Sequence, residues 1–156
     1  MEQQQLSGFS VISNPCRKKV DKQGQQAVAS GATSEDVIFC ILKERGYQVI
    51  RQHRLDNTSI YGGEIVVDFF VKGIAQFPDG LIIESKWQEV SGSADEKFVF
   101  LIENIRSRYT HPTIIICDGG GAREGAVRYL RNQADGQKIF AVYSLQEFLT
   151  WAIRNL

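Results

Sequence analysis

The sequence predicts an α/β fold with a mixed central sheet flanked by helices, and three observations carry that expectation. An amphipathic helical stretch comes first and three strand-like segments follow in succession, close enough to be joined as antiparallel hairpins. The second half then alternates helical and strand-like segments, the pattern of parallel crossover units. Between the helices, TIIIC at 113–117 is a continuous apolar run of strand length, as expected of a strand covered on both faces.

The first helix is expected over 33-TSEDVIFCILKERG-46, with Thr33 or Ser34 as its cap. Val37, Ile38, Ile41 and Leu42 recur at helical spacing, and Gly46 ends the run. YQVIRQHRL, alternating and β-branched, reads as a strand; after the NTSIYGG break, 64-EIVVDFFVKG-73 reads as the next. GLIIESKWQ is the third, beyond IAQFPD. Ser93 with Glu96 three residues later forms a capping box opening a helix to about Arg108, with Phe98, Leu101, Ile102 and Ile105 on its apolar face. A helix around 122–133, a strand at KIFAVYS and a final helix from Ser144 complete the order αβββαβαβα.

A chain of 156 residues fits one domain, expected over 31–156. Residues 1–30 are rich in Gln, Ser, Lys and Gly around a short FSVI patch, and read as a flexible or loosely docked arm whose RKKVDK cluster is a solvated tail rather than a DNA grip. With 18 basic and 18 acidic side chains and a pI near 6.7, bulk charge excludes a polycation, so any nucleic-acid surface must be local. No apolar run approaches the roughly 18 residues of a membrane span, and the N-terminus lacks the order of a signal peptide, which together favour a cytoplasmic protein without membrane attachment. Cys16, Cys40 and Cys117 are widely spaced and read as free thiols, buried in the last two cases, rather than disulfides or a zinc cluster. His53 and His111 stand alone and read as surface or satisfied structural residues rather than metal ligands.

Chemistry concentrates in the central strands. Alternate residues of a strand share a face, so Glu84, Lys86 and Gln88 project together from GLIIESKWQ while Ser85 and Trp87 point the other way. A carboxylate and an ammonium in a half-covered sheet must be paired or hold a metal. Asp79 does not qualify as their partner: it lies at an odd offset from Glu84, about 16 Å away at strand rise, and Pro78-Asp79-Gly80 is turn chemistry. A hairpin centred near Gln76 instead places Asp68 opposite Glu84, with side chains about 5 Å apart. Asp68 interrupts the apolar VVDFFV just as Glu84 interrupts its own strand, and two facing interruptions argue for a shared ion. Two carboxylates with positions left for water and phosphate suit Mg²⁺, or Mn²⁺, rather than zinc. Lys86 stands where it can stabilise the charge of a phosphodiester under attack.

Asp68 followed by Glu84-Ser85-Lys86 resembles the PD-(D/E)XK nuclease superfamily over roughly residues 30–150. The resemblance implies a restriction-endonuclease-like αβββαβ core, here with an added C-terminal strand and helix. Val67-Asp68 stands in place of Pro-Asp. The superfamily's first-helix acidic residue, a further metal ligand, maps to Glu35 with Asp36 as rival, and Gln88 completes an E-x-K-x-Q form. The implied activity is Mg²⁺-dependent DNA endonuclease, acting as a homodimer because one site cuts one strand, with no small-molecule cofactor. Alternatives are a non-catalytic DNA-binding module on the same fold and a structure-specific repair or resolvase-type nuclease.

Arg51, Arg54, Lys97, Arg106, Arg108, Arg123, Arg128 and Arg131 are candidate phosphate contacts, which would position DNA without reading its sequence. The 118-DGGGAREG-125 loop has neither Walker A nor dinucleotide spacing and reads as a close-approach turn. Tyr109 and Trp151 read as packing residues.

Overall fold

A computed structural model describes residues 31–88 and 94–156. The elements are α1 (Gly31–Glu44), β1 (Gln48–Thr58), β2 (Glu64–Lys72), β3 (Leu81–Trp87), α2 (Ala94–Ser107), β4 (Thr113–Asp118), α3 (Glu124–Asn132), β5 (Ile139–Tyr143) and α4 (Leu145–Asn155). Their order is the expected αβββαβαβα. The strands form one five-stranded sheet in the order β1-β2-β3-β4-β5. β1, β2 and β3 pair antiparallel as a meander, while β3, β4 and β5 run parallel. The fold is the mixed, restriction-endonuclease-like α/β sheet.

Each face of the sheet buries its own apolar cluster. Ile38 and Leu42 of α1 and Phe148 and Ala152 of α4 pack on Phe69, Val71, Ile83, Ile114 and Ile116. On the other face, Phe98, Leu101, Ile102 and Ile105 of α2 and Leu130 of α3 pack on Val67, Phe70, Ile82, Ile115 and Val142. Burying each large side chain of this kind contributes roughly 1.5–3 kcal/mol, and β4 does so on both faces, which is why its sequence is apolar throughout. α4 starts as its sequence dictates: the Ser144 side chain accepts from the Glu147 N–H and the Glu147 carboxylate accepts from the Ser144 N–H.

Several local expectations change. α1 covers Gly31–Glu44, so Thr33 and Ser34 lie inside the helix rather than capping it. Cys117 is the buried free thiol its apolar strand suggests. The arm at 1–30 and the Ser93 cap lie outside the described residues. His53 and His111 are packing groups, the first stacked on Phe70 at 4.8 Å and the second edge-on to it at 4.9 Å.

Two glycines are required by close approaches. Gly80 closes the β2–β3 turn at φ 126°, where a Cβ would lie 2.5 Å from the Phe70 ring. Gly119 sits against the backbone of Gln88, where a Cβ would lie 2.5 Å from the carbonyl oxygen, so DGGG is the close-approach turn its composition suggests. No helix among the described residues is long and apolar enough to cross a membrane.

Candidate active site

The β2–β3 register pairs Phe69 with Ile83, Phe70 with Ile82 and Val71 with Leu81. These pairs share the expected centre at Gln76, and the last of them, Phe69–Ile83, stops one residue short of Asp68 and Glu84. Regular pairing ends there, although β3 continues to Trp87. In place of a main-chain acceptor from β2, the Ser85 N–H finds the Asp68 carboxylate, with Oδ2 at 2.8 Å. The side chain thereby satisfies a backbone donor that the parting strands would otherwise orphan.

Asp68 also marks a change of face within β2. Val67 packs with the α2/α3 cluster, whereas Phe69 and Val71 pack with the α1/α4 cluster, so simple alternation fails across the aspartate. β1 is irregular at the same level: its pairs Arg51–Phe69 and His53–Val67 bracket Gln52, a non-glycine residue at φ 49°. The Gln52 side-chain amide donates to Asp68 Oδ1 in a long contact of 3.4 Å. Asp68 therefore sits where both neighbouring strands have yielded.

Glu84 and Lys86 follow Ile82 onto the α2/α3 face of β3. The Lys86 ammonium donates to Glu84 Oε2 at 2.7 Å and lies 3.4 Å from Asp68 Oδ2. Tyr109, just beyond α2, donates its hydroxyl to Glu84 Oε1 at 2.5 Å. Side-chain exposure climbs from 3% at Glu84 through 16% at Asp68 to 35% at Lys86, so the group opens to solvent on the lysine side.

The electrostatics follow from that gradient. Burial pushes the Glu84 carboxyl above the ordinary glutamate range, against the pull of Lys86. Burial also works to lower the Lys86 ammonium, but the Glu84 and Asp68 carboxylates outweigh it and hold its pKa up. Burial, then the Glu84 charge, pushes the Tyr109 phenol upward, so it remains a protonated donor.

A positive charge already bridges the two carboxylates in the form of Lys86. Two hard oxygen donors beside open solvent also fit Mg²⁺, which binds through one or two carboxylates and fills its remaining positions with water and phosphate oxygens. Among the described residues, no group of three or more His, Cys, Asp or Glu side chains is gathered for a metal.

A family model for the PD-(D/E)XK nuclease superfamily domain matches residues 26–156. The chain belongs to the PD-(D/E)XK nuclease superfamily. No curated protein and no solved structure matches it. The residues that carry its sequence resemblance to PD-(D/E)XK nucleases, Asp68, Glu84 and Lys86, are the ones the fold gathers.

The other expected residues are placed differently. Glu35 does not join the carboxylate pair: Arg51 engages it at 3.4 Å and its rival Asp36 at 2.9 Å. The three-carboxylate set of Asp68, Glu84 and Glu35 is therefore not assembled in this structure, because a cation on β1 satisfies the α1 acids first. Gln88 lies past the end of β3, its N–H bonded to the Asp118 carbonyl at 2.9 Å and its own carbonyl accepting from Gly121 at 2.7 Å. The DGGG loop thus fixes the exit of the E-x-K-x-Q strand.

Many of the candidate cations are balanced locally. Arg54 pairs with Glu64, Arg128 with Glu124 and Arg131 with Glu147, while Arg106 donates to Gln133. Exposed Lys97 and Arg108 have no ion pair among the described residues. Sequence reasoning missed Tyr109 and Gln52. A signal existed for Gln52: centring the β1–β2 hairpin on Ile60 places it opposite Asp68. Tyr109 had none, since its link to Glu84 depends on how α2 crosses the sheet.

Proposed function

We propose that this PD-(D/E)XK chain is a divalent-cation-dependent DNA endonuclease that hydrolyses phosphodiester bonds, with Mg²⁺ as its ion and Mn²⁺ as a substitute. The observation that supports the reading is the convergence of Asp68, Glu84 and Lys86 at the parted end of one hairpin, in a domain of this superfamily. Costly buried charge has been concentrated at one point of an otherwise apolar sheet, and ion binding gives it a purpose.

In this reading the Asp68 and Glu84 carboxylates would hold the cation. When bound, that ion supplies a Lewis acid that makes a coordinated water more acidic and screens the phosphate charge. Lys86, the most exposed of the three, turns from the carboxylates toward the scissile phosphate and the incoming water, where its fixed charge favours the more negative transition state. Ser85 and Tyr109 hold the two carboxylates in orientation. Glu35 contributes as an outer ligand, for which Arg51 must release it and can then meet a DNA phosphate. Gln88 lines the strand exit beside the site. Each site cuts one strand, so a duplex break calls for two copies of the chain as a homodimer.

Incubation of the purified protein with plasmid, linear duplex and four-way-junction DNA in MgCl₂ or MnCl₂ tests the proposal. Cleavage that EDTA abolishes and that Asp68→Ala eliminates is the expected result. A folded protein inert on every substrate with either ion would instead support a non-catalytic DNA-binding module. Cleavage confined to junctions would assign a resolvase-type nuclease.

A further inference from the structure

Glu84 has two carboxylate oxygens with different neighbours. Oε2 faces the Lys86 ammonium at 2.7 Å, on the side where Asp68 and solvent lie. Oε1 points into the α2/α3 core and takes the Tyr109 hydroxyl at 2.5 Å. Tyr109 is itself held rigidly. The residue is 4% exposed within that core, its N–H donates to the Asn104 carbonyl at 3.1 Å, and its own carbonyl accepts from Lys138. The carbonyl of the preceding Arg108 accepts from Asn57 at 2.8 Å, which ties the same turn to the end of β1. The hydroxyl therefore has little freedom to leave Oε1.

That asymmetry matters to the choice of ion. Mg²⁺ takes six ligands at about 2.1 Å in a near-octahedral shell and is content with one oxygen from a carboxylate, whereas Ca²⁺, with six to eight ligands at about 2.3–2.6 Å, gains from carboxylates that bind through both oxygens. For Glu84 to chelate through both, Oε1 must turn toward the ion and away from a rigidly held buried phenol, which weakens that hydrogen bond at a cost. A single-oxygen Glu84 carries no such cost.

We propose that Tyr109 is a positioning residue that restricts Glu84 to one metal-facing oxygen and thereby biases the site toward small six-coordinate cations over Ca²⁺. The inference rests on the reading of Asp68 and Glu84 as metal ligands. It assigns to Tyr109 a role in ion selectivity beyond packing.

The test is calorimetric titration of the full-length protein and of Tyr109→Phe with MgCl₂ and with CaCl₂, without DNA. The phenylalanine keeps the ring and removes the hydroxyl. The expected result is a shift of the Ca²⁺-to-Mg²⁺ affinity ratio toward Ca²⁺ by about tenfold, the equivalent of one hydrogen bond to a charged group. A merely structural role would weaken both ions together and leave the ratio unchanged, which overturns the proposal while sparing the metal site. Absence of ion binding by the unmodified protein sinks both. Should Tyr109→Phe fail to fold, infrared difference spectra of the Ca²⁺-loaded protein against Glu84→Gln read the coordination mode directly. A one-oxygen carboxylate splitting supports the role, and a two-oxygen splitting refutes it.

Discussion

The two ends of the β2–β3 hairpin are built from the same strands by opposite means. At the turn, Phe77 and Gly80 N–H groups bond back to Ile74 and Phe77 carbonyls, and the Phe70 ring packs over Gly80 where no side chain fits. At the far end the strands part, a carboxylate replaces a main-chain acceptor, and an ammonium bridges two acids. The closed end satisfies every need locally, with apolar contact and turn geometry. The open end holds charge that the fold alone does not require. The contrast teaches where function sits in this sheet, since stability is supplied at one end and chemistry is accommodated at the other.

Substitutions can break that contrast, and the largest effect belongs to the open end. Asp68→Ala is expected to lower DNA cleavage by about 10³-fold or more and to abolish Mg²⁺ binding, measured by plasmid nicking and calorimetry. Lys86→Ala should reduce cleavage by about 10²–10³-fold while leaving ion binding largely intact, because it removes a transition-state charge and no ligand. Near-normal cleavage by either variant would mean that the chemistry lies elsewhere.

At the closed end the currency is stability. Gly80→Ala forces a side chain into a left-handed backbone conformation and onto the Phe70 ring, and should cost about 2–4 kcal/mol in urea unfolding. The rate of cleavage per folded molecule should not change. An unaltered unfolding midpoint would show that Phe70 moves aside freely.

The same end has a pH signature. Burial lowers the His111 imidazole below the ordinary histidine range, with nearby His53 and Lys72 acting in the same sense and Asp79 opposing. The folded protein then binds fewer protons at this group than the unfolded chain, so its stability contribution is complete above about pH 6.5 and is lost as pH falls through the lowered value. His111→Gln should flatten that acid limb in chemical-denaturation curves collected across pH, and an unchanged limb would assign the slope to other groups. The smallest effect is expected from Asp79→Ala, within about twofold of normal cleavage, since Asp79 belongs to the turn. A large loss there would erase the distinction between the two ends.

Much of this arrangement is legible in the amino-acid sequence. A hairpin register is set by its turn, and Pro78-Asp79-Gly80 with the apolar pattern of the two strands suffices to bring Asp68 and Glu84 to the same end of the hairpin. The polar interruptions in VVDFFV and LIIESK mark the site because buried charge is expensive. What stays hidden depends on three-dimensional crossing and competition. Tyr109 reaches Glu84 only because α2 ends over β3, and no local spacing encodes that contact. The change of face at Asp68 defeats the alternation rule on which strand reading depends. Analogy with an acidic first helix puts Glu35 at the site, but the neighbouring strand supplies Arg51, which engages it instead.

Anomalous diffraction from crystals soaked in MnCl₂ tests the central claim most directly. The predicted result is a single strong peak between Asp68 Oδ and Glu84 Oε2, with the Lys86 ammonium displaced toward solvent. A peak at any other site, or none at saturating Mn²⁺ with Lys86 still bridging the two carboxylates, would contradict the account.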